Sequence, residues 1–139
     1  MAGKKILVVD DEEQVLHLLK RKLTSAGFEV STAKNGKEAI TKAKSLVPDL
    51  ILMDIMMPEL DGPSAVKIIQ EDPDISEPPI IFLSGILTRE KNDGEEGEED
   101  QDPHIIINNR RYTSIPKPFN SEELLNRIRR ILKDPKVRT

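Results

Sequence analysis

Runs of uninterrupted apolar residues, Ile6-Leu7-Val8-Val9, Leu50-Ile51-Leu52-Met53 and Ile80-Ile81-Phe82-Leu83, stop at the polar residues Asp10-Asp11, Asp54 and Ser84-Gly85. A continuous apolar run this short suits a strand covered on both faces, as in a parallel sheet flanked by helices. Lys117, between Pro116 and Pro118, supplies a further polar strand end. Ligands of open parallel sheets bind at the carboxyl ends of the strands. The polar ends are therefore expected to converge. Three carboxylates brought together there repel one another unless a cation joins them.

Between these runs the spacing becomes helical. Val15, Leu18, Leu19, Leu23 and Ala26 recur every three to four residues, and Gly27 closes the stretch. Phe28 to Ala33 alternates as a second strand. Asn35, with Glu38 three residues on, opens a helix carrying Ala39, Ile40, Ala43 and Leu46 that stops before Pro48. Pro63 suits the first turn of the next helix, striped by Ala65, Ile68 and Ile69 and closed by Pro73. Asn120 and Glu123 open a last helix with Leu124, Leu125, Ile128, Ile131 and Leu132 on one side. Strand alternating with helix predicts an α/β, doubly wound parallel sheet with right-handed crossovers and helices on both faces.

Between Leu83 and Pro116 the alternation breaks. Thr88 to Pro103 has crowded acids, two glycines and no apolar period, which predicts a solvated loop. Ile105-Ile106-Ile107, Asn108-Asn109 and Arg110 to Ile115 then read as a β-hairpin, because asparagine tolerates the positive φ of a tight turn. The second arm supplies the fifth parallel strand. The 139 residues are expected to form one domain, with residues 88–111 as an atypical acidic loop and hairpin insertion.

Charge is unevenly spread. Seven of the ten residues from Asp93 to Asp102 are acidic, and without them the formal charge changes from −4 to +3. The remainder has no basic run and almost no aromatic surface, so direct nucleic-acid binding is not expected. The chain has no cysteine, which removes disulfides, thiolate chemistry and Cys-ligated zinc and fits a cytoplasmic protein. No stretch approaches the roughly 20 apolar residues of a membrane span.

The order Val8-Val9-Asp10-Asp11, Asp54 with Met57-Pro58 and Gly62, Ser84, and Lys117-Pro118-Phe119 resembles the receiver domain of two-component response regulators over nearly the whole chain. The resemblance implies a flavodoxin-like five-stranded parallel sheet of order 2-1-3-4-5. It also implies that Asp54 accepts a phosphoryl group from a histidine kinase or phosphotransfer protein. Asp10, Asp11, Asp54 and the Met56 backbone carbonyl would hold Mg²⁺, with Ser84 as the switch hydroxyl and Lys117 as the phosphate-binding cation. Lys117–Pro118 becomes a candidate cis peptide. The chemistry is consistent, since a hard cation held by carboxylates and water is magnesium's usual arrangement. Such a domain assists its own phosphorylation, signals through a downstream protein, and is no enzyme acting on outside substrates; self-association stays open.

Plainer roles stand beside these. Asp11 could cap the first helix with Gln14 as its box partner. Ser84-Gly85 could be an ordinary turn, His17 and His104 ordinary polar residues, and Met53, Met56 and Met57 filling. Two alternatives follow: a pseudo-receiver that binds partners without phosphorylation, or an aspartyl-phosphate phosphatase, whose second Asp would stand where Met56 is. The chain also departs from the family. The Ser84-to-Lys117 interval is about ten residues longer than the pattern allows. The aromatic expected three residues before the Lys is Ser114, with Tyr112 one strand step away on the same face. These departures predict retained phosphorylation chemistry with a rewritten output surface, and an Ile105–Ile107 arm that covers the last strand's edge. Apolar Met56 and Ile86 predict restricted water and a persistent phosphorylated state.

Overall fold

A computed structural model describes residues 3–84 and 104–133. The expectations of an acidic loop without a helix over 90–100, and of Ile86 beside the site, lie outside the described residues. The elements run β1 (Lys5–Val9), α1 (Glu13–Ser25), β2 (Glu29–Ala33), α2 (Gly36–Leu46), β3 (Leu50–Asp54), α3 (Gly62–Glu71), β4 (Ile80–Ser84), β5 (His104–Ile107), β6 (Arg110–Pro116) and α4 (Ser121–Lys133). The sheet order is β2-β1-β3-β4-β6-β5. All pairs are parallel except β5–β6. The five parallel strands therefore stand in the expected order, and the hairpin's first arm adds a sixth, antiparallel strand outside them.

β1, β3 and β4 occupy the middle of the sheet, where both faces need apolar cover. From Ile6 to Val9 and throughout β3 and β4 every residue is buried. Alternate residues divide between two cores. Leu7, Val9, Ile51, Met53 and Phe82 meet the apolar sides of α2 and α3, while Ile6, Val8, Leu50, Leu52, Ile81 and Leu83 meet α1 and α4. Burial of these side chains supplies the main drive for folding, at about 1.5–3 kcal/mol each.

Two helical stripes differ from the expected ones. On α1, Leu16, Leu19 and Leu23 are buried while Leu18 is 40% exposed; on α3, Val66 is buried and Ile68 is 42% exposed. A 3.6-residue period lets neighbouring apolar residues compete for the inward direction, and the sheet selects the winners. The Asn35 cap forms as expected, accepting from the Glu38 N–H at 2.8 Å, and Asn120 accepts from the Glu123 N–H at 3.1 Å. α1 starts at Glu12 with no side-chain cap, so Asp11 does not take the capping role. Among the described residues no helix is long and apolar enough to cross a membrane.

The hairpin turns at Asn108 (φ 51°) and Asn109 (φ 68°), the positive-φ pair of a two-residue turn between antiparallel arms. Ile107 and Tyr112 are buried in the α2/α3 core, and Tyr112 meets the Phe82 ring edge-on at 5.8 Å. Gln70 of α3 donates to the Tyr112 hydroxyl at 2.6 Å and the Ile107 carbonyl at 3.3 Å, and accepts from the Asn108 amide at 2.7 Å. The Tyr112 hydroxyl donates to Glu77, which also pairs with Arg110 at 2.6 Å. The hairpin is thus tied to α3 and to the segment before β4.

Candidate active site at the carboxyl ends of the strands

β1 and β3 pair in register Val9↔Met53, and β3 and β4 in register Asp54↔Leu83. These registers bring Asp10, Asp54 and Ser84 to one lip of the sheet. Ser84 pairs with Pro116 on β6, and its carbonyl accepts from the Lys117 N–H at 2.8 Å, fixing the lysine backbone there. The Lys117–Pro118 bond is cis, as expected. Of the four residues expected at the site through their side chains besides Asp11, Asp10, Asp54 and Ser84 are buried and Lys117 is half-buried, while Asp11 is exposed.

The backbone around Asp54 leaves no slack. The Ile55 N–H donates to the Leu83 carbonyl at 3.1 Å, and the Gly62 N–H to the Ile55 carbonyl at 2.9 Å. A Cβ at position 62 would lie 2.4 Å from the Asp54 carbonyl oxygen, so only glycine lets α3 begin this close to β3. Asp61 caps α3 by accepting from the Ser64 N–H at 2.8 Å. The β3–α3 loop and Asp11 border a hollow of about 420 Å³ lined by Ile55, Met56, Met57 and Pro58. The Met56 side chain is 70% exposed there, whereas Met53 and Met57 are core.

Carboxylate oxygens of Asp10, Asp11 and Asp54 all lie within 4.8 Å of one another, close enough to share a metal ion. The Lys117 ammonium sits 2.9 Å from Asp10 Oδ2, 3.6 Å from Asp54 Oδ1 and 3.6 Å from Glu12 Oε1. Asp10 Oδ1 accepts from the Glu12 N–H at 2.9 Å. Burial, then the charge of Asp10, pushes the Asp54 carboxyl up to about 6 against the opposing pull of Lys117. Asp10 is raised by burial, which outweighs its hydrogen bonds from Lys117 and Glu12. Burial works to lower Lys117, but its hydrogen bond with Asp10 and the surrounding carboxylates raise it overall. Glu12 escaped the sequence reading because it follows two stronger acid candidates; its place just past the β1 end was the available signal.

A cluster of three carboxylates beside one buried-side ammonium can hold a hard divalent cation and bind a phosphoryl group between cation and lysine. Residues 6–129 match the family described as the response regulator receiver domain. The chain belongs to that family. This receiver domain is 34% identical over 135 residues to the alkaline phosphatase synthesis transcriptional regulatory protein PhoP of Bacillus subtilis, covering 97% of this chain and 51% of that protein. It is 37% identical over 131 residues to the probable transcriptional regulator ycf27 of Pyropia yezoensis, covering 94% and 48%. The chain spans about half the length of these curated relatives. Among solved structures, the Vibrio cholerae chemotaxis protein CheY4 is 30% identical with TM-score 0.72, covering 94% of this chain and 99% of that one. The receiver domain of sensor histidine kinase PA1611 from Pseudomonas aeruginosa PAO1, described with magnesium coordinated in its active site cleft, is 29% identical with TM-score 0.72, covering 96% and 100%. Receiver domains are signalling modules of two-component systems rather than enzymes with substrate turnover.

Proposed function

We propose that this receiver domain, read as one unit over its 139 residues, takes a phosphoryl group on Asp54 and signals through protein contacts. The observation that carries the reading is the meeting of Asp10, Asp11, Asp54 and Lys117 at one lip of the sheet. A carboxylate oxygen of Asp54 attacks phosphorus, an acyl-phosphate bond forms, and the bond to the donor breaks. The donor is a phosphohistidine on a histidine kinase or phosphotransfer protein, whose imidazole leaves. Lys117 moves from the carboxylates toward the incoming phosphoryl oxygens, and Ser84, at the end of the neighbouring strand, offers its hydroxyl to them.

The donor set fits Mg²⁺: oxygen ligands only, one of them on the wholly buried Asp10, facing an exposed Asp11. Asp10, Asp11, Asp54 and the Met56 carbonyl would hold it. When bound, the ion offsets the charge that builds on the transferring group. The resulting acyl phosphate is labile, so the mark is temporary.

Intact-mass measurement after incubation with acetyl phosphate and Mg²⁺ tests this. The expected result is addition of one phosphoryl group, absent in Asp54→Asn and absent without the metal. An unmodified chain would instead identify a pseudo-receiver. Steady turnover of a model phosphate ester would identify a phosphatase, which the apolar Met56 in the general-acid position argues against.

A further inference from the structure

Among the described residues, β5 lies at one end of the sheet and pairs with β6 on one side. Its sequence, His-Ile-Ile-Ile, carries no Lys, Glu, Asp or Pro. Sheet edges of soluble proteins usually hold such residues, or bulges, that discourage pairing with another chain. The opposite edge strand, β2, begins at Glu29.

The register shows which groups of β5 face outward. Ile107 and Arg110 flank a two-residue turn and therefore exchange both N–H···O bonds with each other. Hydrogen-bonded and non-bonded pairs alternate along an antiparallel ladder. Ile105–Tyr112 is then the next bonded pair, and the N–H and carbonyl of Ile106 point away from β6. Ile106 also has the side chain left 62% exposed, while Ile107 is 8% exposed. Gln70, Tyr112 and Glu77 hold this hairpin against α3, so the strand's outward edge is preorganised.

We propose that β5 pairs antiparallel with β5 of a second copy of this chain, about a two-fold axis through Ile106. Such an axis stands normal to the sheet and preserves its faces. Ile106 therefore meets Ile106 of the copy, and Ile105 meets the copy's Ile107. Each Ile106 N–H donates to the other's carbonyl, and the two exposed side chains cover each other as a directly opposed pair. The α3-facing isoleucines continue the covered face across the junction. An extended segment of another protein would satisfy the same backbone groups, but the match of the isoleucine triplet with its own reverse favours a copy. Two four-residue strands bury far less than the roughly 1,200 Å² of a stable complex. The dimer is accordingly weak and concentration-dependent. The proposal is independent of the phosphorylation reading.

Sedimentation of the full chain from about 10 µM to about 1 mM, a range that brackets weak association, is the test. The weight-average mass is expected to rise toward that of a dimer. Ile106→Lys puts like charges opposite each other and should weaken association about tenfold or more. Ile106→Glu should do the same alone, and a mixture of the two variants should recover the association. Ile106→Thr keeps the β-branched shape and should weaken the dimer more mildly should the charged variants fail to fold. A monomer throughout, a dimer indifferent to Ile106→Lys and Ile106→Thr, or folded charged variants whose mixture stays monomeric would overturn the proposal.

Discussion

At the residue scale, the energetics of the site turn on Asp54. Its folded-state carboxyl titrates at about 6 against an ordinary 3.8. Between those values the folded state binds more protons than the unfolded one. Stability of the metal-free protein therefore falls as pH rises from about 4 through about 6, then levels off. At about 1.4 kcal/mol per pKa unit, the loss is on the order of 2–3 kcal/mol. Asp10, also raised, acts in the same direction. Asp54→Asn carries no charge to desolvate, so it is expected to be more stable than the parent at pH 7, by about 2 kcal/mol, and flatter between pH 4 and 6. Urea unfolding of both proteins at pH 4, 5, 6 and 7 checks the sign.

At the element scale, the turn of the β5–β6 hairpin was legible. Asn108-Asn109 between the isoleucine triplet and the strand-forming Arg110–Ile115 stretch leaves few alternatives to a positive-φ turn. The polar ties that hold it were not legible. Gln70 and Glu77 lie on α3 and in the loop after it, and nothing in their local pattern points at Tyr112, more than thirty residues away in sequence. For the same reason the α1 and α3 stripes were read with Leu18 and Ile68 inside, since only tertiary packing ranks adjacent apolar residues. The lip residues, by contrast, were readable because Asp10, Asp54 and Ser84 each end an apolar run and Lys117 stands between two prolines. Tyr112→Phe removes the hydroxyl that joins Gln70 to Glu77 and is expected to cost about 1–2 kcal/mol by urea unfolding, leaving phosphorylation by acetyl phosphate intact. Asn109→Gly relieves a non-glycine φ of 68° and is expected to gain about 0.5 kcal/mol, while Asn109→Val should lose more than that.

At the scale of the whole molecule, two cores on opposite faces of one sheet bring distant parts of the sequence to a single lip, and Lys117 is the piece that arrives last along the chain. Its ammonium stands 2.9 Å from Asp10, one of the carboxylates a divalent ion would use. A divalent ion held there would compete with the lysine for the same charge. Lys117→Met should have two opposite effects. Without metal, the wholly buried Asp10 loses its partner, and breaking a buried pair costs about 3–5 kcal/mol, so the melting temperature should fall. With Mg²⁺, the ion no longer meets a resident cation, so it should bind more tightly than in the parent. An ion that binds only the folded state stabilises it by about 2.7 kcal/mol at a hundredfold excess over Kd. The rise in melting temperature on adding Mg²⁺ should thus be larger in Lys117→Met and begin at lower concentration. Transfer from acetyl phosphate should nevertheless slow, because the charge that meets the phosphoryl oxygens is gone. Thermal unfolding across a magnesium titration, with phosphorylation rates on the same samples, separates the two roles. Equal magnesium responses in the two proteins would mean that the lysine does not shield the acids.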